Sequence, residues 1–341
     1  MSDQSATPTL TGAGDAPTGP AQPAGRRAGD VAARLAVDYG MVAVLVGLVV
    51  VATVLYSGFL APDNLLIVLS QSAPLGVAAV GMTFVIIAGG FDLSVGAIFA
   101  TAGTIAAKVS MDHSVALGIL AALGLGLVLG IVNGVLVARF NINPFVATLG
   151  TTSVYAGGIL LYSDSQPYTV TKMSFMELGA GSVAGVPLSV IVLMAVFGVG
   201  AVLLHKSTYG RRVFSVGGNA EASRLSGVPV RLVRGSTYAL SGLLAALGGV
   251  MAASRLGVGQ GDVGANLALD AIAVVVIGGT SLAGGEGRIW RSGVGLLILA
   301  VLDNIFFSLA VDSNWQLITK GAIVVLAVAA DQAFRDRWST A

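Results

Sequence analysis

The sequence predicts an all-α protein that crosses a membrane several times. Apolar residues make up 55% of its 341 residues and charged residues only 10%, whereas charged residues are about 25% of a typical soluble domain. Ten apolar runs of helical length follow one another along the chain, and about 20 apolar residues suffice for a helix to span a bilayer. A soluble protein of this composition would expose large apolar patches and aggregate.

The ten predicted spans make up one transmembrane domain at 36–333. They lie at 38–57, 64–88, 93–110, 115–138, 145–162, 187–204, 232–254, 267–284, 292–309 and 316–331. The Ala-, Thr-, Gly- and Pro-rich segment 1–35 predicts a disordered tail, and 334–341 predicts a short C-terminal tail. Lys and Arg concentrate on the side of this topology that holds the termini, so the positive-inside rule predicts that both termini are cytoplasmic.

Several classes of function are disfavoured by composition. The chain has no Cys, two His and a net charge of +1, so we expect no disulfide, metal or cofactor. A near-neutral chain has no electrostatic basis for binding nucleic acid. No paired acid–base or nucleophile–base set is visible, which argues against a membrane enzyme.

A polar interruption, GGFDLSVG at 89–96, follows an apolar run. Gly89 and Gly90 weaken a helix and allow close packing, and a broken helix is tolerated in a membrane only beside protein or a water-filled cavity. We therefore predict an interrupted helix near the route of a solute. Ser94 either caps the following helix or bonds within the break.

Asp92 within this interruption has three open interpretations, because a carboxylate is costly in lipid. It caps the next helix at the membrane boundary, or it holds the break through backbone hydrogen bonds, or it touches the solute directly. GGTSLAGG at 278–285 shares the pattern G-G-x-x-L-x-x-G with 89–96. This is either an internal repeat, as in many transporters, or chance in a chain with 47 glycines.

The polar loop 205–231 predicts one short helix over about 220–226. Asn219 can cap its first turn, Glu221 suits the positive end of the helix dipole, and Gly227 can supply the left-handed residue that ends it. So short a helix is not stable alone. It is either a surface connection between two spans or an element that docks on a cytoplasmic subunit.

Five segments in order carry a family resemblance. They are GMTFVIIAGGFDLSVG, NPFVATLGT, GRRVFSVGGNAEASRLSGV, LDAIAVVVIGGTSLAGGEG and NWQLITKGAIVVLAVAAD. Over about 40–333 the chain resembles the membrane permease subunits of ABC importers for monosaccharides, the ribose-permease-like branch.

The resemblance implies that the loop helix is a coupling helix seated in an ABC ATPase subunit. The contact residues carried over are Gly218, Asn219, Glu221, Arg224 and Gly227. It also implies a homodimer in the lipid of the bacterial cytoplasmic membrane and an extracytoplasmic sugar-binding protein as a partner. Asn304 matches an Asn common in the family, and we assign it to the pathway with Gly89, Gly90, Asp92 and Ser94.

No G-x-x-x-x-G-K-[ST] loop is present in the chain, so ATP hydrolysis is expected in a partner chain. The alternative function is a secondary transporter driven by an ion gradient, since such proteins carry intramembrane acids. The residues leave the sugar open, because selectivity in such systems lies mostly in the binding protein.

Overall fold

A computed structural model describes residues 24–339 of the chain. The chain divides into two compact units, Met1–Gly40 and Met41–Ala341, and the helical bundle belongs to the second. In chain order the helices are α1 (Ala24–Leu55), α2 (Pro62–Ile87), α3 (Val95–Asp112), α4 (Val115–Ala138), α5 (Pro144–Tyr162), α6 (Met173–Ala180), α7 (Leu188–His205), α8 (Thr208–Gly218), α9 (Ala220–Leu225), α10 (Val230–Leu256), α11 (Leu267–Ile277), α12 (Ile289–Ser308) and α13 (Ser313–Ser339).

Six of these helices, α2, α4, α5, α7, α10 and α12, are long and apolar enough to cross a membrane. Large apolar side chains on α4 and α7 are exposed, including Leu120, Val128, Met194 and Val199. A helix that is apolar all round belongs either in a core or in lipid. The predicted all-α, multi-pass membrane architecture is therefore confirmed.

Three predicted boundaries differ most from the structure. α13 runs to Ser339, inside the segment predicted as a C-terminal tail. α1 begins at Ala24, inside the predicted tail, because Ala, Arg, Val and Leu after that point are good or adequate helix formers; residues 1–23 lie outside the described range. The span predicted at 267–284 ends as a helix at Ile277, because Gly279 adopts a positive φ of 76°, a conformation that terminates a helix.

α10 packs against α2, α3 and α4 and lies at the centre of the bundle. Small residues allow this close approach: a Cβ at Gly126, Gly130 or Gly134 of α4 would overlap atoms of α10. The small-xxx-small stripe of α4 therefore packs within the chain. The interior between these helices consists largely of Ala and Val, with Met and Ile at intervals.

The two ends of α10 define the two ends of the bundle. With 27 residues, α10 is about 40 Å long. α9 precedes its first turn, whereas α6 contacts its last turn, where the N–H of Gly179 donates to Oγ of Ser254 at 2.7 Å. We call these the α9 end and the α6 end. At the α6 end, β1 (Tyr168–Thr169) pairs antiparallel with β4 (Val258–Gly259), and β2 (Ser182–Val183) forms a hairpin with β3 (Val186–Pro187).

Candidate functional site

The predicted interruption at 89–96 separates α2 from α3. α2 ends at Ile87, and Gly89 takes a positive φ of 77°. The N–H groups of Gly89 and Gly90 bond back to the carbonyls of Ile86 and Val85, the hydrogen-bond pattern of a Schellman C-cap. α3 then begins at Val95, so the chain reverses within seven residues.

Gly90 is required by a close contact with α10. A Cβ at this position would overlap the hydroxyl of Tyr238, and that buried hydroxyl donates to the carbonyl of Phe91 at 3.2 Å. The close approach that the sequence predicts for this glycine is therefore made to a tyrosine side chain. It fixes the first turn of the break against the central helix.

Asp92 is fully buried and accepts three hydrogen bonds. Its Oδ1 accepts from the backbone N–H of Ser94 at 3.1 Å and from the Ser94 hydroxyl at 2.6 Å. Its Oδ2 accepts from the hydroxyl of Ser241 on α10 at 2.9 Å. Hydrogen bonds to a buried carboxylate offset part of the cost of removing it from water. These contacts are those expected if Asp92 holds the break in shape.

The hydrogen-bond network extends from Asp92 to α4 and α5. Nδ2 of Asn133 donates to Oγ of Ser94 at 2.6 Å, and the hydroxyl of Tyr155 donates to Oδ1 of Asn133 at 3.4 Å. The N–H of Leu93 donates to Oγ1 of Thr148 at 3.1 Å. Ser94 thus bonds within the break rather than capping α3 with its side chain, and three helices, α4, α5 and α10, hold the break in place.

Five participants were not predicted from the sequence as partners of the break: Ser241, Tyr238, Tyr155, Asn133 and Thr148. Hydroxyl residues inside an apolar helix usually bond to their own backbone, and Thr148 also does so, to Pro144 at 2.8 Å. No local signal distinguishes a hydroxyl that reaches another helix from one that does not.

The loop helix α9 forms where the sequence predicts it. Asn219 is its N-cap and accepts from the N–H of Ala222 at 2.9 Å, and Gly227 takes a φ of 80° after its last turn. Glu221 and Arg224 form an exposed ion pair at 2.6 Å. The hydrogen bonds from Arg224 lower the pKa of the Glu221 carboxyl, so this pair persists until the pH falls through that lowered value.

α8 precedes α9 and was not predicted within the polar loop. Ser207 caps it by accepting from the N–H of Gly210, while Val213 and Val216 are buried, which is the i, i+3 spacing of an amphipathic helix. Ser215 of α8 and Ser223 of α9 share a hydrogen bond of 2.6 Å. α8 therefore supplies the support that so short a helix needs.

The break and the end of α8, which leads into α9, meet at a cluster of glycine backbones, which we call the glycine junction (Gly89, Gly217, Gly284 and Gly285). The N–H of Gly285 donates to the carbonyl of Ile87 at 2.8 Å. A Cβ at Gly217 would overlap that same carbonyl, and a Cβ at Gly284 would lie 3.0 Å from Cα of Gly89. Both GG segments and the end of α8 thus make direct backbone contact.

Comparison with known proteins assigns the family. The family model described as branched-chain amino acid transport system / permease component matches residues 64–328. The chain belongs to this permease family. The permease is 42% identical over 288 residues to the ribose import permease protein RbsC of Bacillus subtilis (strain 168), covering 84% of this chain and 89% of that relative.

Other relatives of this permease are also named as sugar permeases. The L-arabinose ABC transporter permease protein AraH of Azospirillum brasilense is 36% identical over 302 residues, with 87% of this chain and 88% of that relative covered. The galactose/methyl galactoside import permease protein MglC of Escherichia coli (strain K12) is 36% identical over 306 residues, with 83% and 91% covered. No solved structure gives a significant match. The resemblance to monosaccharide ABC permeases is thus confirmed.

The residues assigned to the pathway of this permease lie in two places. Gly89, Gly90, Asp92 and Ser94 lie together in the break. Asn304 lies on α12 near the α6 end, where its amide exchanges two hydrogen bonds with Asn64 of α2 at 3.2 and 3.4 Å. The residues assigned to coupling, by contrast, form one group on α9 and its two flanking turns.

Proposed function

We propose that this permease forms the membrane pathway for a monosaccharide delivered by an extracytoplasmic sugar-binding protein, and that a separate ABC ATPase subunit drives transport through α9. The observation that carries this proposal is the glycine junction. It joins the end of α8, directly before α9, to the end of α2, directly before the buried break. A displacement of α9 can therefore reach the break through backbone contacts, with no flexible side chain between them.

The surface of α9 suits a docked partner. The contact surface that we assign to the ATPase consists of five residues in α9 and the turns that flank it: Gly218, Asn219, Glu221, Arg224 and Gly227. Glu221 and Arg224 have side chains that are each 66% exposed, so a partner can reach both charges. The helix is capped at both ends, which keeps it folded while a partner pulls or pushes on it.

In the topology that we propose, the chain crosses the bacterial cytoplasmic membrane ten times, one crossing combining the short α11 with the loop after it, and both termini are cytoplasmic. The α9 end then faces the cytoplasm and the α6 end faces the binding protein. Two copies of the chain form the complete pathway. The supporting observation is that Arg and Lys residues cluster around α8, α9 and the start of α10, as the positive-inside rule requires of a cytoplasmic side.

We also propose that the two GG segments descend from an internal repeat. Both end a helix with one positive-φ glycine, Gly89 at 77° and Gly279 at 76°, and both make the same pair of backward hydrogen bonds. In the first segment the positive-φ residue is the first glycine of the GG pair, and in the second segment it is the second glycine. The turn is therefore offset by one residue from the match in sequence. Inverted or parallel repeats of this kind meet at the pathway in many transporters.

Reconstitution into proteoliposomes tests the function. The permease is combined with its ATPase and its binding protein, and uptake of D-ribose, L-arabinose and D-galactose is measured with and without ATP. We expect uptake of at least one sugar that needs all three proteins and ATP. Uptake by the permease alone, driven by a proton or sodium gradient, would instead establish an ion-coupled transporter.

A further inference from the structure

A polar cavity lies between α2, α10 and α12, in the halves of these helices nearest the α6 end. Its volume is about 180 Å³, the share of about six waters at roughly 30 Å³ each. Its polar lining consists of Gln71, Ser72, Arg255, Asp303 and Asn304. The groove between α2, α7 and α10 is lined entirely by apolar side chains and one glycine, so the polar cavity differs from this groove in chemistry.

Arg255 leaves hydrogen-bonding capacity unused in this cavity. Its Nη1 is buried and has no hydrogen-bond partner among the described residues. A buried donor without a partner costs free energy, so such a group indicates a missing water or ligand. α6 fixes this end of α10, because the hydroxyl of the adjacent Ser254 bonds to both Phe175 and Gly179.

The other polar residues that line the cavity retain donors and acceptors that can form further hydrogen bonds. An Asn amide has two N–H donors and two acceptor lone pairs, and Asn304 spends only one of each on Asn64. The hydroxyl of Ser72 donates to the carbonyl of Leu69 at 3.2 Å, which leaves its oxygen free to accept. Asp303 is oriented by an ion pair of 2.7 Å with Lys320.

We propose that this cavity binds the ring of a single monosaccharide as it enters the permease from the α6 end, an inference that rests on the proposed function. A sugar hydroxyl both donates and accepts a hydrogen bond. Arg255 supplies donors, Ser72 and Asp303 supply acceptors, and Asn304 supplies both. Waters fill the cavity when it is unloaded, and the sugar replaces them at little net cost, which keeps binding weak and release fast.

The absence of Cys from the chain allows a direct test. Ser72→Cys replaces one small side chain by another of nearly the same shape and places a single thiol in the cavity. The purified full-length permease, without binding protein or nucleotide, is treated with a hydrophilic thiol reagent at increasing D-ribose, L-arabinose, D-galactose or sucrose. We expect the transported monosaccharide to slow the labelling of this thiol in a saturable manner. Sucrose should leave the labelling rate unchanged.

Thr169→Cys is the matched control, because Thr169 lies on β1 at the α6 end and is exposed outside the cavity. Its labelling should be fast and independent of sugar. If no monosaccharide changes the labelling rate of the Ser72→Cys variant, the cavity holds water only and the inference is overturned. A thiol in this variant that never reacts would also overturn it, because a closed cavity cannot admit a solute.

Arg255→Lys provides a second measurement in the reconstituted complex. Lys keeps the positive charge but lacks the planar fork of donors. We expect sugar uptake to fall by about two- to tenfold, the effect of losing one hydrogen bond, and ATP hydrolysis measured without sugar to fall by less. An equal fall in both rates, or in neither, contradicts a contact with the sugar. If the wild-type complex shows no ATP-dependent uptake, the proposed function fails. If the wild-type complex transports sugar, but Arg255→Lys does not reduce uptake and sugar does not slow labelling of Ser72→Cys, only the cavity inference fails.

Discussion

The carbonyl of Ile87, at the end of α2, accepts a hydrogen bond of 2.8 Å from the N–H of Gly285. This bond joins the end of α2 to the loop between α11 and α12, almost two hundred residues further along the chain, and Gly217 packs directly against it. The end of α8, which leads into α9, is thus in contact with the turn that leads to Asp92.

The junction predicts a position-specific effect of adding one methyl group. Gly217→Ala would overlap the Ile87 carbonyl and the Gly285 N–H, and overpacking of this kind costs about 1–3 kcal/mol. We expect a lower apparent melting temperature of the purified permease and, in the reconstituted complex, ATP hydrolysis with little sugar uptake.

Gly218→Ala is the control for this variant, because a Cβ at Gly218 meets no atom within 4 Å. Its apparent melting temperature should match that of the wild type. If both variants melt alike, the glycine junction is looser than the contacts at Gly217 imply.

The network at the break predicts a cost for removing its carboxylate. Asp92→Ala leaves the hydroxyls of Ser94 and Ser241 without an acceptor, and each unsatisfied buried group costs about 1–3 kcal/mol. We expect a lower apparent melting temperature than in Ser241→Ala, which removes one donor and leaves Asp92 with two hydrogen bonds from Ser94. Equal stability of Asp92→Ala and wild type would mean that the network does not hold the break.

The contact between Gly90 and Tyr238 predicts partial rescue by a second substitution. Gly90→Ala overlaps the tyrosine hydroxyl, and we expect sugar uptake to fall while the amount of protein in the membrane changes less. Adding Tyr238→Phe removes that hydroxyl and should restore part of the uptake. Tyr238→Phe alone measures the loss of the bond to Phe91. Absence of any rescue in the double variant would assign the effect of Gly90→Ala to the backbone instead.

The exposed charges of α9 predict a defect in assembly. Glu221→Lys replaces the ion pair with Arg224 by a repulsion between like charges and changes the surface offered to the ATPase. We expect weaker recovery of the ATPase after extraction in detergent, with unchanged membrane insertion. The double variant Glu221→Lys with Arg224→Glu restores the ion pair with its charges exchanged. If recovery of the ATPase stays low in this variant, the defect lies in the interface with the ATPase and not in the loss of the ion pair. Full recovery of the ATPase with Glu221→Lys alone would argue against docking at this surface.

Local features were predictable because each depends on a few neighbouring residues. The caps of α9 follow from Asn219 and Gly227, and the end of α2 follows from Gly89, since side-chain capping and positive-φ preference act within one turn. The spans follow from runs of apolar residues long enough to cross a bilayer. α8 was missed because it is only 11 residues long and its apolar residues alternate with Arg, Ser and Gly, which weakens the helical pattern.

The sequence by itself determined the membrane class, the approximate helices, the interruption and the capped loop helix. Only the tertiary structure decided what Asp92 contacts, since Ser241 lies 149 positions away in the chain and reaches it because α2, α3 and α10 pack through small residues. The same holds for the glycine junction and for the cavity around Arg255. Hydrogen bonds and steric contacts act over a few ångströms, so partners far apart in sequence are known only once the helices are packed.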